Sequence, residues 1–319
     1  MAHHSLNGLA GDAELHRRFL SFGRAAVAQF GDPLRPLEPE CKVVQFGEPL
    51  SPILLRQAGR LVAERPDVEL YVYGRANPDL DFLKHFPTIR RLHLALYELE
   101  DTGGFSHVRD TLESLTFGDT KKKFSLRFLE TMPRLEKLFL VGHKTDLACV
   151  QALGEMEDLG LSGITLPDLS LLLPLTRLRK LSLLLGGTTN LDKLPLLSRL
   201  ADLFLMRITK LSDLGMLGDV VGLKTLRLDW MRNVTALPSF ARLERLDDVT
   251  LDTMKGLTNL SSIAAAPALR RLAITAMPQL TAEDFRCFTG HPRLQELWAG
   301  TGRSRVNEAI KRMFPLIAR

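Results

Sequence analysis

The chain has 319 residues, 45% of them hydrophobic and 25% charged, which is enough apolar material for a large continuous core and excludes a disordered chain. Its 42 Lys and Arg against 37 Asp and Glu leave a formal charge of +5, an excess too small and too spread to argue for nucleic acid or a membrane surface. The N-terminus lacks the apolar run of a secretion signal, and no stretch of about 18 uncharged apolar residues occurs. Cys41, Cys149 and Cys287 lie far apart without C-x-x-C pairing, so reduced thiols in a cytoplasmic protein are expected.

From residue 12 to about residue 30, Leu15, Phe19, Phe22, Ala26 and Phe30 recur at helical steps of three or four, and Gly31, Asp32 and Pro33 end the run. After a proline-rich connection, residues 43–46 read as a strand. Residues 52–64 read as an amphipathic helix bearing Ile53, Leu54, Leu55, Ala58, Leu61 and Val62. Residues 1–66 are therefore expected to be a helical N-terminal cap with one founder repeat, since the first unit of a stack would otherwise expose its apolar face.

From residue 67 a strand pattern of the form L-x-x-L-x-L recurs, starting at 67, 89, 112, 135, 156, 178, 200, 223, 246, 269 and 294, so that successive starts are 21 to 25 residues apart. Residues 223–245 show the unit in full: Leu223, Leu226 and Leu228, then Met231, Val234, Leu237, Phe240 and Leu243 at every third residue, a spacing suited to turns and 3₁₀ pieces. One unit cannot bury its leucines alone, so the units must stack. Helical pieces are expected to replace the turn at residues 282–289 and between Phe105 and Leu112. The last segment, 305–314, puts Val306, Ala309, Ile310, Met313 and Phe314 on one helical face before Pro315 and reads as the C-terminal cap.

Over roughly residues 41–302 the L-x-x-L-x-L pattern at this period resembles the leucine-rich repeat family, and the 22-residue unit at 156–177 is similar to its short cytoplasmic class. The resemblance implies an α/β solenoid: a curved arc with a parallel sheet on its concave face and helical caps at both ends. It implies one domain over 1–319, with the cap at 1–66, about eleven units at 67–302 and a cap helix at 303–319. The family often carries Asn or Cys at the ninth position of the unit, where this chain has Ile164, Gly186, Ile208, Met231, Met254 and Met277. The turns must satisfy their backbone by other means.

Strand side chains alternate, so positions four and six of each unit face the core while three, five and seven face out, and function must be read from the odd positions. Two outward patches carry aromatics where solvated residues are the rule. One joins Tyr71, Tyr73 and His93. The other joins Phe204, Met206, Arg227, Asp229, Trp230, Asp248 and Asp252, with Phe204 and Trp230 as apolar anchors and the aspartates meeting a basic patch. The alternative there is an internal network, Arg227 stacking on Phe204 and bridging the aspartates. Phe139 stands alone, His93 reads as a surface histidine, and Trp298 is expected to lie under the C-terminal helix. Asp229 and Asp252 side by side are too few oxygens for a Mg²⁺ or Ca²⁺ site. No catalytic residue, metal or cofactor motif is found. The expectation is a monomeric, non-enzymatic module holding a protein partner on its concave face, as an adaptor, effector or toxin-neutralising immunity protein. A basic nucleic-acid scaffold is the second reading and an enzyme the third.

Overall fold

The computed structural model describes residues 39–318, Leu37, and the strand backbone of Phe19–Phe22. Contacts divide the chain into two compact units, Met1–Leu153 and Gly154–Arg319. No helix among the described residues is long and apolar enough to cross a membrane.

In the first unit, β1 (Phe19–Phe22), β2 (Val43–Phe46), β3 (Glu69–Gly74), β4 (Arg91–Leu96), β5 (Ser114–Phe117) and β6 (Lys137–Val141) run parallel, each paired with the next in chain order. The strand β1 corrects the helical reading of residues 19–22: its backbone adds to the edge of β2, in register Phe19 to Val43, and pairing across the sheet overrides the local spacing. The rest of that expected helix lies outside the described residues. Helix α1 (Pro52–Ala63) forms as expected, with the Ser51 hydroxyl accepting the Leu54 N–H at 3.3 Å and Pro52 in its first turn. It buries Leu55, Ala58, Leu61 and Val62. At Gly59 the helix meets the backbone of the next turn, where a Cβ would lie 1.9 Å from the His85 carbonyl oxygen.

The second unit holds β7 (Asp158–Ser162), β8 (Lys180–Leu184), β9 (Asp202–Met206), β10 (Thr225–Asp229), β11 (Asp248–Asp252), β12 (Arg271–Thr275) and β13 (Glu296–Gly300), again parallel and paired in chain order. Short 3₁₀ turns return the chain in most units, including Gly103–His107 and Glu283–Phe288 where helical pieces were expected, and a one-turn helix, α2 (Ser261–Ala264), serves once. Positions four and six are buried throughout, with Leu226, Leu228, Val249 and Leu251 at 0% exposure. Helix α3 (Ser304–Met313) turns Val306 and Ile310 inward, and the Leu297 N–H donates to Ile317 at 2.8 Å, so the tail closes the edge of β13.

The missing asparagines are replaced by backbone. Position eight of successive units, Leu185, Arg207, Trp230, Thr253 and Ala276, is left-handed, with φ of 57°, 55°, 59°, 53° and 50°. Each of these residues donates its N–H to the position-seven carbonyl of the following unit, Met206, Asp229, Asp252, Thr275 and Gly300, at 2.8–2.9 Å. The ninth residue is thereby freed to be apolar, and Met231, Met254 and Met277 are wholly buried.

Candidate functional site

The outward row of the first unit places its aromatics together. Tyr71 and His93 are register neighbours on β3 and β4, their rings 4.4 Å apart, and Tyr73 lies 5.1 Å from Tyr71. Tyr73 rests on bare backbone: a Cβ at Gly47 would come within 2.6 Å of its ring. Burial lowers the His93 pKa and raises that of Tyr71, so His93 is a half-buried, neutral ring in a stack rather than the surface histidine expected. Beside it in register stands Thr116, and no acid is bonded to it among the described residues. Phe139, half-buried on β6, stacks on no other ring among the described residues.

In the second unit the strand register brings Phe204, Arg227 and Thr250 side by side, and likewise Met206, Asp229 and Asp252. The guanidinium of Arg227 lies over the Phe204 ring, 4.6 Å from its centroid. Its Nε donates to both Asp229 carboxylate oxygens at 3.2 and 3.0 Å, and its Nη2 donates to Oδ2 at 2.7 Å. Asp229 is 4% exposed, and burial raises its pKa against the opposing pull of Arg227, with Asp252 adding to the rise. Asp248 is held by Arg271 of the next strand at 2.6 Å, and Asp252 accepts the Thr253 hydroxyl. Two of the three aspartates expected to meet a basic patch, Asp229 and Asp248, are thus already neutralised. Of the network weighed as an alternative, the stack on Phe204 and the single bridge to Asp229 are present.

Trp230 leaves the strand through its left-handed corner and stays 40% exposed. Trp298 is 54% exposed, contrary to the expected cover, because helix α3 spends its apolar face on the core and the tail pairs with strand backbone instead. Sequence reading missed Arg271 and Leu185. Opposite charges at one position of adjacent units signal the Asp248–Arg271 pair. Leu185, 48% exposed at a left-handed corner, had no such signal. Among the described residues, no group of three or more His, Cys, Asp or Glu side chains is placed to hold a metal ion.

No protein-family model matches the chain. No curated protein matches it. Among solved structures it is similar to an internalin (InlF) of Listeria monocytogenes, with a TM-score of 0.51 at 17% identity over 85% of this chain and 78% of that one. One parallel strand per L-x-x-L-x-L unit, together with that likeness, decides the fold. The chain has the leucine-rich repeat fold. Weaker likenesses are an internalin C2 of the same bacterium (TM-score 0.46, 22% identity, 61% of this chain and 84% of that one) and a leucine-rich repeat protein of Leptospira interrogans (TM-score 0.41, 14% identity, 94% and 99%). These last two carry no part of the assignment.

Proposed function

We propose that this leucine-rich repeat chain is a non-enzymatic module that binds one protein partner on the outer face of its sheet, as an adaptor, effector or toxin-neutralising immunity protein. The observation that supports it is the exposure of Tyr73, Trp230 and Trp298, at 37%, 40% and 54%, on a sheet whose inward side chains are almost wholly buried. Large aromatics on a rigid scaffold bury much area on docking at little cost in conformational entropy. Of the two patches we favour the one around Phe204, Arg227, Asp229, Trp230, Asp248 and Asp252 over Tyr71, Tyr73 and His93, because there an arginine lies on an aromatic ring and an exposed tryptophan follows the end of the same strand. A monomer, one domain over 1–319 and a cytoplasmic location belong to the same reading, on the unbroken repeat spacing and the widely separated cysteines of the sequence, without C-x-x-C spacing.

The nucleic-acid reading is disfavoured by the mixed signs of position three, where Asp158, Lys180, Asp202, Thr225, Asp248, Arg271 and Glu296 succeed one another. Affinity capture from the native cell followed by mass spectrometry tests the proposal. A protein held by the wild type and by Tyr71→Ala but lost with Trp230→Ala supports it. Nucleic acid as the captured species, or a partner indifferent to every outward substitution, overturns it.

A further inference from the structure

Arg227 is an arginine fixed in advance. One edge of its guanidinium, Nε and Nη2, is spent on Asp229, whose side chain is 5% exposed, and one face is laid on Phe204. The side chain is still 51% exposed, and Nη1 has no hydrogen-bond partner among the described residues. The Nη1 end therefore offers an unspent donor pair in a fixed direction, with the rotamer freedom of a long side chain already lost before any partner arrives. Arg271, two strands on, holds an aspartate by the same edge: Nε and Nη2 donate to Asp248 of the neighbouring strand at 3.0 and 2.6 Å, and Nη1 has no hydrogen-bond partner among the described residues.

The surroundings bear on the sign of what docks. Asp229 and Asp248 are occupied by these arginines, so a lysine brought to either of these two positions would meet guanidinium ends in place of open carboxylates. Asp202 stands in register beside Lys180, and Asp252 lies on β11 while the Arg227 guanidinium leans the other way, over Phe204 of β9. Exposed Arg207 occupies the corner between those of Leu185 and Trp230. The Phe204 ring lies under Arg227, Met206 is half-buried in register beside Asp229, and the exposed Trp230 follows the end of the strand that carries Arg227.

We infer that the outer face of β9–β11 receives a carboxylate of its protein partner, an Asp or Glu flanked by an apolar side chain, with Arg227 as the receiving fork and Met206 and Trp230 as the apolar floor. This rests on the reading that the sheet face binds protein, and it reverses the charge expected of that protein: acidic here, where the count of aspartates pointed to basic. Arg is the side chain suited to the task, since its planar fork pairs bidentately with a carboxylate and a charge-assisted bond is stronger than a neutral one.

The test is to pan phage-displayed random heptapeptides on the full chain and compare the selected sequences with those obtained on Arg227→Gln. Enrichment of Asp or Glu beside Leu, Phe or Trp is expected, and Arg227→Gln is expected to weaken the selected peptides roughly tenfold or more. Because Arg227→Gln leaves Asp229 buried without its cation, the double variant Arg227→Gln/Asp229→Asn is read beside it, with thermal unfolding as the check that both fold. Enrichment of Lys or Arg, or no enrichment, overturns the inference. Peptides lost with Trp230→Ala but unmoved by Arg227→Gln and by the double variant overturn the carboxylate while keeping the binding face. Peptides blind to all of these variants overturn both.

Discussion

The backbone N–H of Trp230 donates to the carbonyl oxygen of Asp252 at 2.8 Å, from a residue whose φ is +59°. A left-handed corner turns this N–H toward the following unit, which is why the same conformation recurs at Leu185, Arg207, Thr253 and Ala276. Non-glycine residues accept this conformation at a cost of roughly 1–2 kcal/mol each. Here the hydrogen bond to the next unit offsets it.

Ala276 isolates that cost, because its side chain is exposed and its N–H bonds Gly300 at 2.8 Å. Ala276→Gly relieves the Cβ clash while loosening the unfolded chain, so the unfolding free energy from urea titration is expected to hold or to rise by up to about 1 kcal/mol. Ala276→Pro, which removes the N–H and cannot adopt this φ, is expected to lower it. A clear loss of stability in the glycine variant would contradict the corner as described.

Leu226 tests the core. It is 0% exposed at position four of β10, and Leu226→Ala is expected to cost about 2–5 kcal/mol through lost transfer energy and the cavity left behind. Because repeats couple mainly to their neighbours, the loss is expected first as partial unfolding around β9 to β11, visible as lost amide protection in hydrogen exchange. A midpoint shift too small to measure would count against the grid.

The repeat grid was legible from leucine spacing alone because a strand alternates its side chains. Positions three to seven of each unit from 156 onward became strands β7 to β13, with positions four and six inside. The Asp248–Arg271 pair was missed although opposite charges in lateral register marked it. The strand Phe19–Phe22 was not legible, because its hydrogen bonds come from β2 and leave no mark on local periodicity. Nor was the choice made by Arg227. Asp202, Asp229, Asp248 and Asp252 were all within plausible reach on the sheet, and only the side-chain torsions select Asp229 and the Phe204 ring. Left-handed backbone at Trp and Leu is likewise unmarked in a sequence, since glycine is its usual sign.

His143 sets an expected pH dependence. It is 0% exposed and stacked on Phe117 at 4.1 Å; its Nε2 bonds the Gly118 carbonyl at 3.0 Å, so Nε2 carries the proton and Nδ1 has no partner. Burial lowers its pKa below the ordinary 6.5, with Lys123 lowering it and the Gly118 carbonyl and Asp119 opposing. The unfolded chain then binds the proton more readily than the folded one. The contribution is complete above about pH 6.5 and is lost as the pH falls below it, at up to about 1.4 kcal/mol per pH unit. His93 acts in the same direction. His143→Phe keeps a ring on Phe117, and its stability is expected to fall less steeply between pH 7 and 5. Parallel curves would sink this account.

Deleting residues 1–66 removes β1, β2 and α1 and leaves the edge of β3 unpaired over core side chains such as Leu70 and Val72, both at 0% exposure. The shortened chain is expected to aggregate, as an unprotected strand edge invites pairing between molecules. A soluble, cooperatively unfolding truncation would refute the cap.

Anchoring and steering at the proposed face separate in kinetics. Trp230→Ala removes an exposed ring at the strand end and, if that ring is an anchor, is expected to lose roughly 2 kcal/mol or more, mainly as faster dissociation. Asp252→Lys reverses a charge that an approaching partner meets and gives up the hydrogen bond from the Thr253 hydroxyl, so it is read only where thermal unfolding shows the fold kept. An acidic partner is then expected to associate faster, the more so at low salt, because screening at about 0.15 M confines such effects to about 8 Å. Slower association would restore the basic partner that the aspartates first implied. If Trp230→Ala and Asp252→Lys both leave binding untouched while Tyr71→Ala or Tyr73→Ala abolishes it, the partner sits on the stacked tyrosines of β3, and the assignment to β9–β11 fails.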